Sequence, residues 1–178
     1  ILTRQKIPFI SSDRNNLDRI AKGEVHQGVI SEVILPPLLN EESLFKSISE
    51  NFSKPLLLVL DSIQDPRNLG ACLRSANAAG VDYVVINKDG SAPINAVVHK
   101  TSAGAINSLK IFHVTNLSRT IKEIQKRGIW VIGLDGSSKS TIYDVNLTDA
   151  TAIVMGAEGK GIRRLIKENC DQIVAVLN

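Results

Sequence analysis

The chain has 178 residues and a mass of 19.3 kDa, enough for one domain with a buried core and a small appendage. Hydrophobic residues make up 43% and charged residues 22%, values that exclude a disordered tail or a fibre. The longest aliphatic run, 56–60, is far shorter than the roughly 20 residues that cross a bilayer, which excludes a membrane-spanning helix.

Charge and cysteine content narrow the partners and the compartment. A net charge of +3 and a pI near 8.9 allow an anionic partner without requiring one. Neither Cys72 nor Cys170 has neighbours at metal-ligand spacing, so we expect no metal site and a reducing, cytoplasmic environment. No apolar leader follows a basic start, so we expect no secretory signal.

The first 54 residues differ in pattern from the remainder. Five basic and two acidic residues lie within 1–22. Residues 17–23 predict a short helix that ends at a glycine, 33–35 predict a strand, and 38–55 predict an amphipathic helix with a polar exit. This stretch is too short to bury a core alone, which indicates the tail of a domain or a linker.

From Pro55 onward, short apolar runs alternate with helical patterns. This alternation is typical of an α/β fold with a parallel sheet covered on both faces. The predicted strands are 56–60, 83–86, 109–112, 129–134, 152–155 and 173–176. The predicted helices are 69–79, 95–103, 117–127 and 162–169. Ligands of such sheets bind beyond the carboxyl ends of the strands, so the loops that follow strands are the candidate sites.

The loop and helix after the first of these strands contain one candidate site. Asp65 and Pro66 indicate a turn, Asn68 is suited to cap the helix, and Gly80 is suited to end it. A well-capped structural helix explains all of this except Arg74, which lies among small apolar residues. We expect Arg74 to lie on the same helix side as Asn68, to face the crevice and not bulk water, and to hold a phosphate or carboxylate.

Two glycine-rich loops follow later strands. Residues 155–164 have glycines at 156, 159 and 161, which permit close backbone approach to a ligand. Their spacing fits neither a dinucleotide-binding fingerprint nor a Walker A loop, and a tight turn is the structural alternative. Residues 156–168 hold four basic and two acidic side chains, either an anion-binding flank or a solvated helix face. With the glycines at 133 and 136, three strand ends are predicted to converge on one crevice.

Hydrolase chemistry has little support in the sequence. His26, His99 and His113 lie outside these loops, and neither a nucleophile elbow nor a paired-carboxylate site is visible. An arginine on a helix, a glycine-lined cleft and a basic flank instead favour group transfer to a polyanion.

Two segments resemble the signature motifs of a known enzyme family. Residues 65–80 resemble motif one, and residues 153–163 resemble motif two, of the SpoU (TrmH-like) RNA 2′-O-ribose methyltransferases in the SPOUT superfamily. The resemblance covers about residues 55–176 and implies a parallel-sheet α/β-knot fold. The trefoil knot rests on the family alone, since general chain rules disfavour knots. The resemblance also implies S-adenosylmethionine as methyl donor, RNA as substrate and a homodimer.

A third segment narrows the resemblance to one branch. Residues 17–29 are similar to a stretch of the bacterial 23S rRNA guanosine-2′-O-methyltransferases, where it follows a small RNA-binding domain of the ribosomal-protein L30e type. We therefore expect 1–54 to be the remnant of that domain with its linker, and 55–178 to be the methyltransferase domain. Motif three, an Ile-Pro-Met segment followed by Ser-Leu-Asn-Val-Ser, is expected after Ile173. Residues 174–178 are instead Val-Ala-Val-Leu-Asn, so this motif is lost, lies outside the given sequence, or is reduced to these residues.

The resemblance implies a role for each matching residue. The expected catalytic residues are Arg74, Asn68 and Glu158. The expected cofactor-binding residues are Leu134, Asp135, Gly136, Met155, Gly156, Gly161 and Val176. The expected RNA-binding residues are Arg67, Lys160 and Arg163. No metal is implied.

The expected mechanism centres on Arg74. Family accounts make the motif-one arginine the general base, yet the very high pKa of an arginine side chain makes a neutral guanidinium costly. We favour Arg74 as the group that binds the adjacent phosphate and stabilises alkoxide charge, with proton acceptance as the alternative. Asn68 is expected to orient the ribose or Arg74, and Glu158 to orient the target nucleotide. Gly156 is expected to give the cofactor room, so that Gly156→Val weakens its binding without unfolding the domain.

Three alternatives stay open. A tRNA could be the substrate in place of rRNA. A non-catalytic RNA-binding relative would keep the fold and the basic flank without methyl transfer. An ordinary nucleotide-binding α/β enzyme would carry its fingerprint at the first strand turn, where the sequence has none.

Overall fold

A computed structural model of the protein describes residues 8–32, 38–50 and 54–176. The chain divides into two compact units, Ile1–Pro36 and Pro37–Asn178. All strands of the described residues lie in the second unit.

The described part of the first unit forms one helix, α1, over Arg14–Ala21. The side chain of Asp13 caps its first turn, which explains why the helix starts three residues earlier than predicted. It ends two residues before Gly23, whose φ of 91° is a conformation that favours glycine. The predicted short helix is confirmed, although the residue that ends it is Lys22, which takes the left-handed conformation with a φ of 51° directly before Gly23. The strand predicted at 33–35 lies outside the described residues.

The second unit is built on a seven-stranded sheet in which all neighbouring strands are parallel. The strands are β1 (Leu39–Asn40), β2 (Leu56–Asp61), β3 (Tyr83–Asn87), β4 (Lys110–Val114), β5 (Trp130–Leu134), β6 (Thr151–Gly156) and β7 (Gln172–Val174). Their order across the sheet is β1-β4-β3-β2-β6-β5-β7. The six predicted strands and the predicted parallel α/β class are confirmed.

Helices cover both faces of this sheet. They are α2 (Glu41–Glu50), α3 (Pro66–Ala78), α4 (Ala96–Thr101), α5 (Leu117–Gln125) and α6 (Arg164–Glu168). α3 and α4 lie on the face that buries Leu58 and Leu60, whereas α2, α5 and α6 lie on the face that buries Leu57 and Val59. Burial on both faces explains why β2 is a continuous apolar run. The four helices predicted after residue 55 are confirmed.

The helix predicted over 38–55 is shorter than expected. The strand β1 precedes it and pairs with β4, so α2 begins only at Glu41. α2 buries Leu44 and Ile48 against the sheet. Residues 38–50 therefore lie in the same compact unit as the strands from Leu56 onward, whereas the sequence grouped them with the residues before them. The origin of residues 1–54 in an L30e-type domain stays a prediction.

No helix among the described residues is long and apolar enough to cross a membrane. No group of three or more His, Cys, Asp or Glu side chains among them is arranged to hold a metal ion.

Candidate active site

Four neighbouring parallel strands end at one edge of the sheet. β2, β6, β5 and β7 lie side by side, so the loops that follow Asp61, Gly156 and Leu134 share this edge. The three strand ends predicted to converge lie at one edge of the sheet, and β7 adds a fourth; that they line one crevice stays a prediction. Leu134 and Met155, two of the predicted cofactor residues, are half-buried here.

The glycine loop after β6 closes on itself. The N–H of Gly161 donates a 2.8 Å hydrogen bond to the carbonyl of Ala157. A Cβ added at Gly156 would lie 2.0 Å from the carbonyl carbon of Gly161. Gly156 is therefore required by the close approach of the chain to itself. The expectation that Gly156→Val leaves the domain intact is wrong, because the added side chain would meet backbone before any cofactor.

The two glycines near the end of β5 differ in their surroundings. A Cβ at Gly133 would lie 2.7 Å from Cδ1 of Ile173 and 3.0 Å from Sγ of Cys170, so Gly133 serves the packing beneath α6. A Cβ at Gly136 would meet no atom within 4 Å. Of this pair, Gly136 is the position that is open to a ligand.

The loop after β5 is tied to the end of β7. Ser138 Oγ donates to the carbonyl of Ile173 at 2.9 Å, and the N–H of Ile142 donates to the carbonyl of Ala175 at 2.9 Å. Val176 follows directly and is 52% exposed. The predicted cofactor residues after β5, β6 and β7 thus lie at one edge of the sheet. The trefoil knot itself stays a prediction from the resemblance.

Residues from motifs one and two meet at this edge. Nδ2 of Asn68 donates a 2.7 Å hydrogen bond to Oε2 of Glu158. The prediction that Asn68 caps α3 is wrong, since Asp65 is the cap and Pro66 is the first helical residue. Proline suits that position because its missing N–H would have no helical acceptor. The amide of Asn68 is consequently free to bind Glu158.

Arg74 lies elsewhere on the same helix. Six residues at about 100° each place it roughly 120° around α3 from Asn68, so the expected common side is wrong. Arg74 is exposed, and Nη1 lies 3.4 Å from the carbonyl oxygen of Thr101. We expected the Arg74 charge to face a crevice. In the single chain its side chain is instead exposed to solvent.

The basic residues predicted to bind RNA differ in their partners. Arg67 and Lys160 are exposed. The N–H and Nε of Arg163 donate to the Asp61 carboxylate at 2.8 and 2.7 Å, and Nη2 lies 2.7 Å from it. The Asp61 side chain is fully buried. Arg163 therefore has an intramolecular partner, and its contact with RNA stays a prediction.

Asp135 is also engaged within the protein. Its carboxylate accepts hydrogen bonds from Nζ of Lys167 at 2.6 Å and from the N–H and Oγ of Ser137 at 2.8 and 2.6 Å. These donors, Lys167 foremost, hold the pKa of Asp135 well below its usual range. Asp135 is therefore a carboxylate at neutral pH, with donors already in place.

Asp61 and Lys167 were not among the residues predicted for the site. Lys167 belongs to the segment whose charges predict either an anion-binding flank or a solvated helix face. The position of Asp61 in the sequence does carry a signal. This residue is a single carboxylate at the end of a strand whose apolar run indicates burial on both faces. A buried carboxylate requires a cation or several donors, so its position indicates an ion-pair partner.

A cleft of about 550 Å³ lies at the opposite edge of the sheet. The first residues of three strands line it, Trp130, Thr151 and Gln172, together with Asp144 and Asp149. None of the predicted site residues lines this cleft. The candidate site is therefore the carboxyl edge, where the motif residues meet.

Comparison with known proteins agrees with this geometry. The SpoU rRNA methylase family matches residues 55–177. The chain is 48% identical over 176 residues to the 23S rRNA (guanosine-2′-O-)-methyltransferase RlmB of Haemophilus ducreyi. That match covers 98% of this chain and 71% of the relative.

Two solved structures share the fold. The SpoU methyltransferase AviRb from Streptomyces viridochromogenes, in complex with AdoMet (S-adenosylmethionine), matches with a TM-score of 0.66 at 22% identity over 72% of this chain and 53% of that one. An AdoMet-bound rRNA methyltransferase from Sinorhizobium meliloti matches with a TM-score of 0.68 at 15% identity. That match covers 93% of this chain and 61% of the other. At these identities the likeness concerns the fold alone. The family match and the 48% identical relative together show that this chain belongs to the SpoU rRNA methylase family.

Proposed function

We propose that this chain transfers a methyl group from AdoMet to the ribose 2′-hydroxyl of a guanosine in 23S rRNA. The main support is the contact of Asn68 with Glu158, at the edge of the sheet where the strands end and the glycine loops begin. The substrate follows from the relative at 48% identity, whose name specifies 2′-O-methylation of 23S rRNA guanosine.

The residues at this edge fit AdoMet. A Cβ at Gly136, Gly159 or Gly161 would meet no atom within 4 Å, so the backbone of both loops is open to a ligand. Half-buried Leu134 and Met155 offer apolar contact beside these loops. Two solved structures with the same fold hold AdoMet, which supports the same cofactor here. When bound, the cofactor supplies a methyl group on a sulfonium centre.

The acceptor side of the reaction is assigned to motif residues. Asn68 holds one oxygen of Glu158 and thereby orients its carboxylate, which is suited to accept from the N–H groups of a guanine. Arg74 is assigned to the phosphate beside the target ribose, because a guanidinium can bind a phosphate through two parallel hydrogen bonds. There it would stabilise the alkoxide that forms as the 2′-hydroxyl passes its proton to water. Proton acceptance by Arg74 is the alternative.

The exposure of Arg74 bears on assembly. A guanidinium at the surface of one chain needs a second surface to complete a crevice around it, and the family resemblance implies a homodimer. We therefore propose that the site is completed in a homodimer. Light scattering at micromolar concentration should give twice the chain mass, and a monomeric mass with full activity would contradict the dimer.

Labelled methyl transfer tests the proposed function. Purified protein, radiolabelled AdoMet and unmodified 23S rRNA should give label on a ribose 2′-oxygen, mapped by resistance of one linkage to alkaline cleavage. Transfer to tRNA alone would move the proposal to a tRNA substrate. RNA binding without transfer, in protein that binds no AdoMet in calorimetry, would identify a non-catalytic relative.

A further inference from the structure

Two basic residues near the start of α6 each bind a carboxylate. One carboxylate lies at the end of a strand and the other directly after a different strand. Arg163 precedes α6 and binds Asp61 at the end of β2, through three contacts of 2.7–2.8 Å. Lys167, four residues later, binds Asp135 just after β5 at 2.6 Å. Arg163 precedes the first turn of α6 in a non-helical conformation and Lys167 lies within the helix, so together they attach α6 to both strand ends.

These two carboxylates lie on either side of the glycine loop. Asp61 is the register partner of Gly156, the last residue of β6. On the other side Gly133 pairs with Val154, so the same register continued by two residues brings Asp135 level with Gly156. The loop that starts at Gly156 therefore leaves the sheet between the two ion pairs. The chain returns from that loop directly into Arg163 and α6.

The Asp61 end of this arrangement is rigid for a physical reason. Its side chain has no exposed area, and a buried carboxylate is tolerated only with a charged or multiply donating partner. Ser62 Oγ adds a donor at 3.2 Å, and the N–H of Ser62 donates to buried Asn87 at the end of β3. Polar contacts thus link the ends of β3 and β2 to the residue that follows the glycine loop.

We propose that Asp61 with Arg163, and Asp135 with Lys167, are positioning residues that hold the loops after β5 and β6 at a fixed separation before AdoMet binds. The proposal rests on the proposed function. A site that is already arranged loses less conformational freedom on binding, and a misplacement of about 1 Å at a reacting centre can cost about 100-fold in rate. The cations at 163 and 167 then serve the protein's own strand ends and not the RNA.

The rival role is RNA contact by Arg163, whose side chain is 56% exposed. Asp61 separates the two roles because it is fully buried and cannot touch RNA. Asp61→Asn removes the charge partner of Arg163 and leaves the arginine in place. If Arg163 serves only to bind RNA, this change leaves the AdoMet affinity at the wild-type value and preserves or strengthens RNA binding. If Arg163 positions the glycine loop, it weakens the cofactor site and leaves RNA binding unchanged.

The experiment measures AdoMet affinity without RNA, RNA affinity without AdoMet, and kcat at saturation of both. For Asp61→Asn we expect a roughly tenfold weaker AdoMet Kd, a kcat lower by about 10- to 100-fold, and an unchanged RNA Kd. Arg163→Lys keeps the charge and the backbone donor. Its losses in AdoMet affinity and in kcat should therefore be smaller than those of Asp61→Asn. All assays run at a temperature where unfolding curves show each variant fully folded. A wild-type AdoMet Kd in folded Asp61→Asn overturns the proposal.

Two further variants keep the result interpretable. Lys167→Met leaves Asp135 with Ser137 and partial solvent access, so it should fold and should show the same split, and normal AdoMet affinity in it contradicts the proposal even if Asp61→Asn does not fold. Glu41→Gln removes the ion pair between Glu41 at the start of α2 and Arg119 of α5, which involves neither carboxylate pair and in which Arg119 is 63% exposed, and it should change neither constant. Wild-type protein that binds no AdoMet would defeat the proposed function itself, a distinct outcome.

Discussion

The side-chain amide of Asn68 donates a 2.7 Å hydrogen bond to the carboxylate of Glu158, which lies 90 residues further along the chain. The contact joins the first turn of α3 to the glycine loop after β6, because β2 and β6 are neighbours in the sheet. Both residues were singled out by sequence for catalysis, and the fold brings them into contact.

This contact predicts coupled effects of substitution on activity. Asn68→Ala and Glu158→Gln should each lower kcat/KM, and the double variant should lose less than the two separate losses predict. Directly interacting residues typically couple by about 0.5–3 kcal/mol in such a cycle. Steady-state methyl transfer to 23S rRNA measures it. Strictly additive losses would show that the two side chains act independently.

Arg74 should matter to the rate and not to the cofactor. Charge stabilisation by one group is typically worth about 10²- to 10⁴-fold, so Arg74→Ala should lose that factor in kcat while its AdoMet Kd stays at the wild-type value. Arg74→Lys should lose most of the activity too, since lysine lacks the planar fork that binds a phosphate bidentately. Arg119→Lys is the control on another helix. Near-normal turnover in Arg74→Ala would contradict the assigned role.

Gly136 and Gly156 should respond oppositely to an added side chain. A Cβ at Gly136 would meet no protein atom within 4 Å apart from its chain neighbours, so in Gly136→Val the free energy of unfolding should change by less than about 0.5 kcal/mol while AdoMet binding weakens at least tenfold. Gly156→Ala forces a Cβ against the backbone of Gly161 and should destabilise the fold by about 1–3 kcal/mol or more. Urea unfolding and calorimetry on the same preparations measure both. Unchanged AdoMet affinity in Gly136→Val would remove this loop from the cofactor site.

The Asp135–Lys167 pair predicts a specific pH dependence of stability. Because the folded pKa of Asp135 is depressed, its contribution is present above the unfolded value of about 3.9 and is lost as the pH falls from there toward the folded pKa. Asp135→Asn should therefore be less stable than wild type at pH 7, with a smaller difference at pH 3. Urea unfolding at the two pH values measures this, with Glu168→Gln as a surface control. An equal difference at both values would contradict the pairing.

Cys170 should be unreactive in the folded protein. Burial and the nearby Asp171 and Asp61 carboxylates raise the pKa of its thiol to about 11, which leaves little thiolate at pH 8. Iodoacetamide at pH 8 should therefore leave Cys170 unmodified over a period that labels it fully in urea, as measured by peptide mass spectrometry. Labelling at the same rate in native protein would show that the thiol is not protected.

The alternation of apolar runs and helical patterns was sufficient to predict the sheet, because strands buried on both faces are continuously apolar and parallel strands need helical crossovers. The same reasoning predicted the edge where Asn68 and Glu158 meet. The local sequence pattern gave the wrong N-cap for α3, because two nearby residues are both suited to that position. Asn68 and Asp65 are both good caps, and only Pro66, placed at the first helical position, shows that Asp65 takes that role.

Tertiary structure alone decided what each charge and each glycine does. Arg163, Arg164 and Lys167 form one basic run in the sequence, yet Arg163 and Lys167 bind carboxylates at strand ends while Arg164 is exposed. Those partners lie 102 and 32 residues away, beyond the reach of any local pattern. Gly156 and Gly136 likewise look equivalent in sequence. The distance from each to the nearest backbone, which depends on how distant segments pack, separates the glycine that closes a loop from the glycine that leaves space for a ligand.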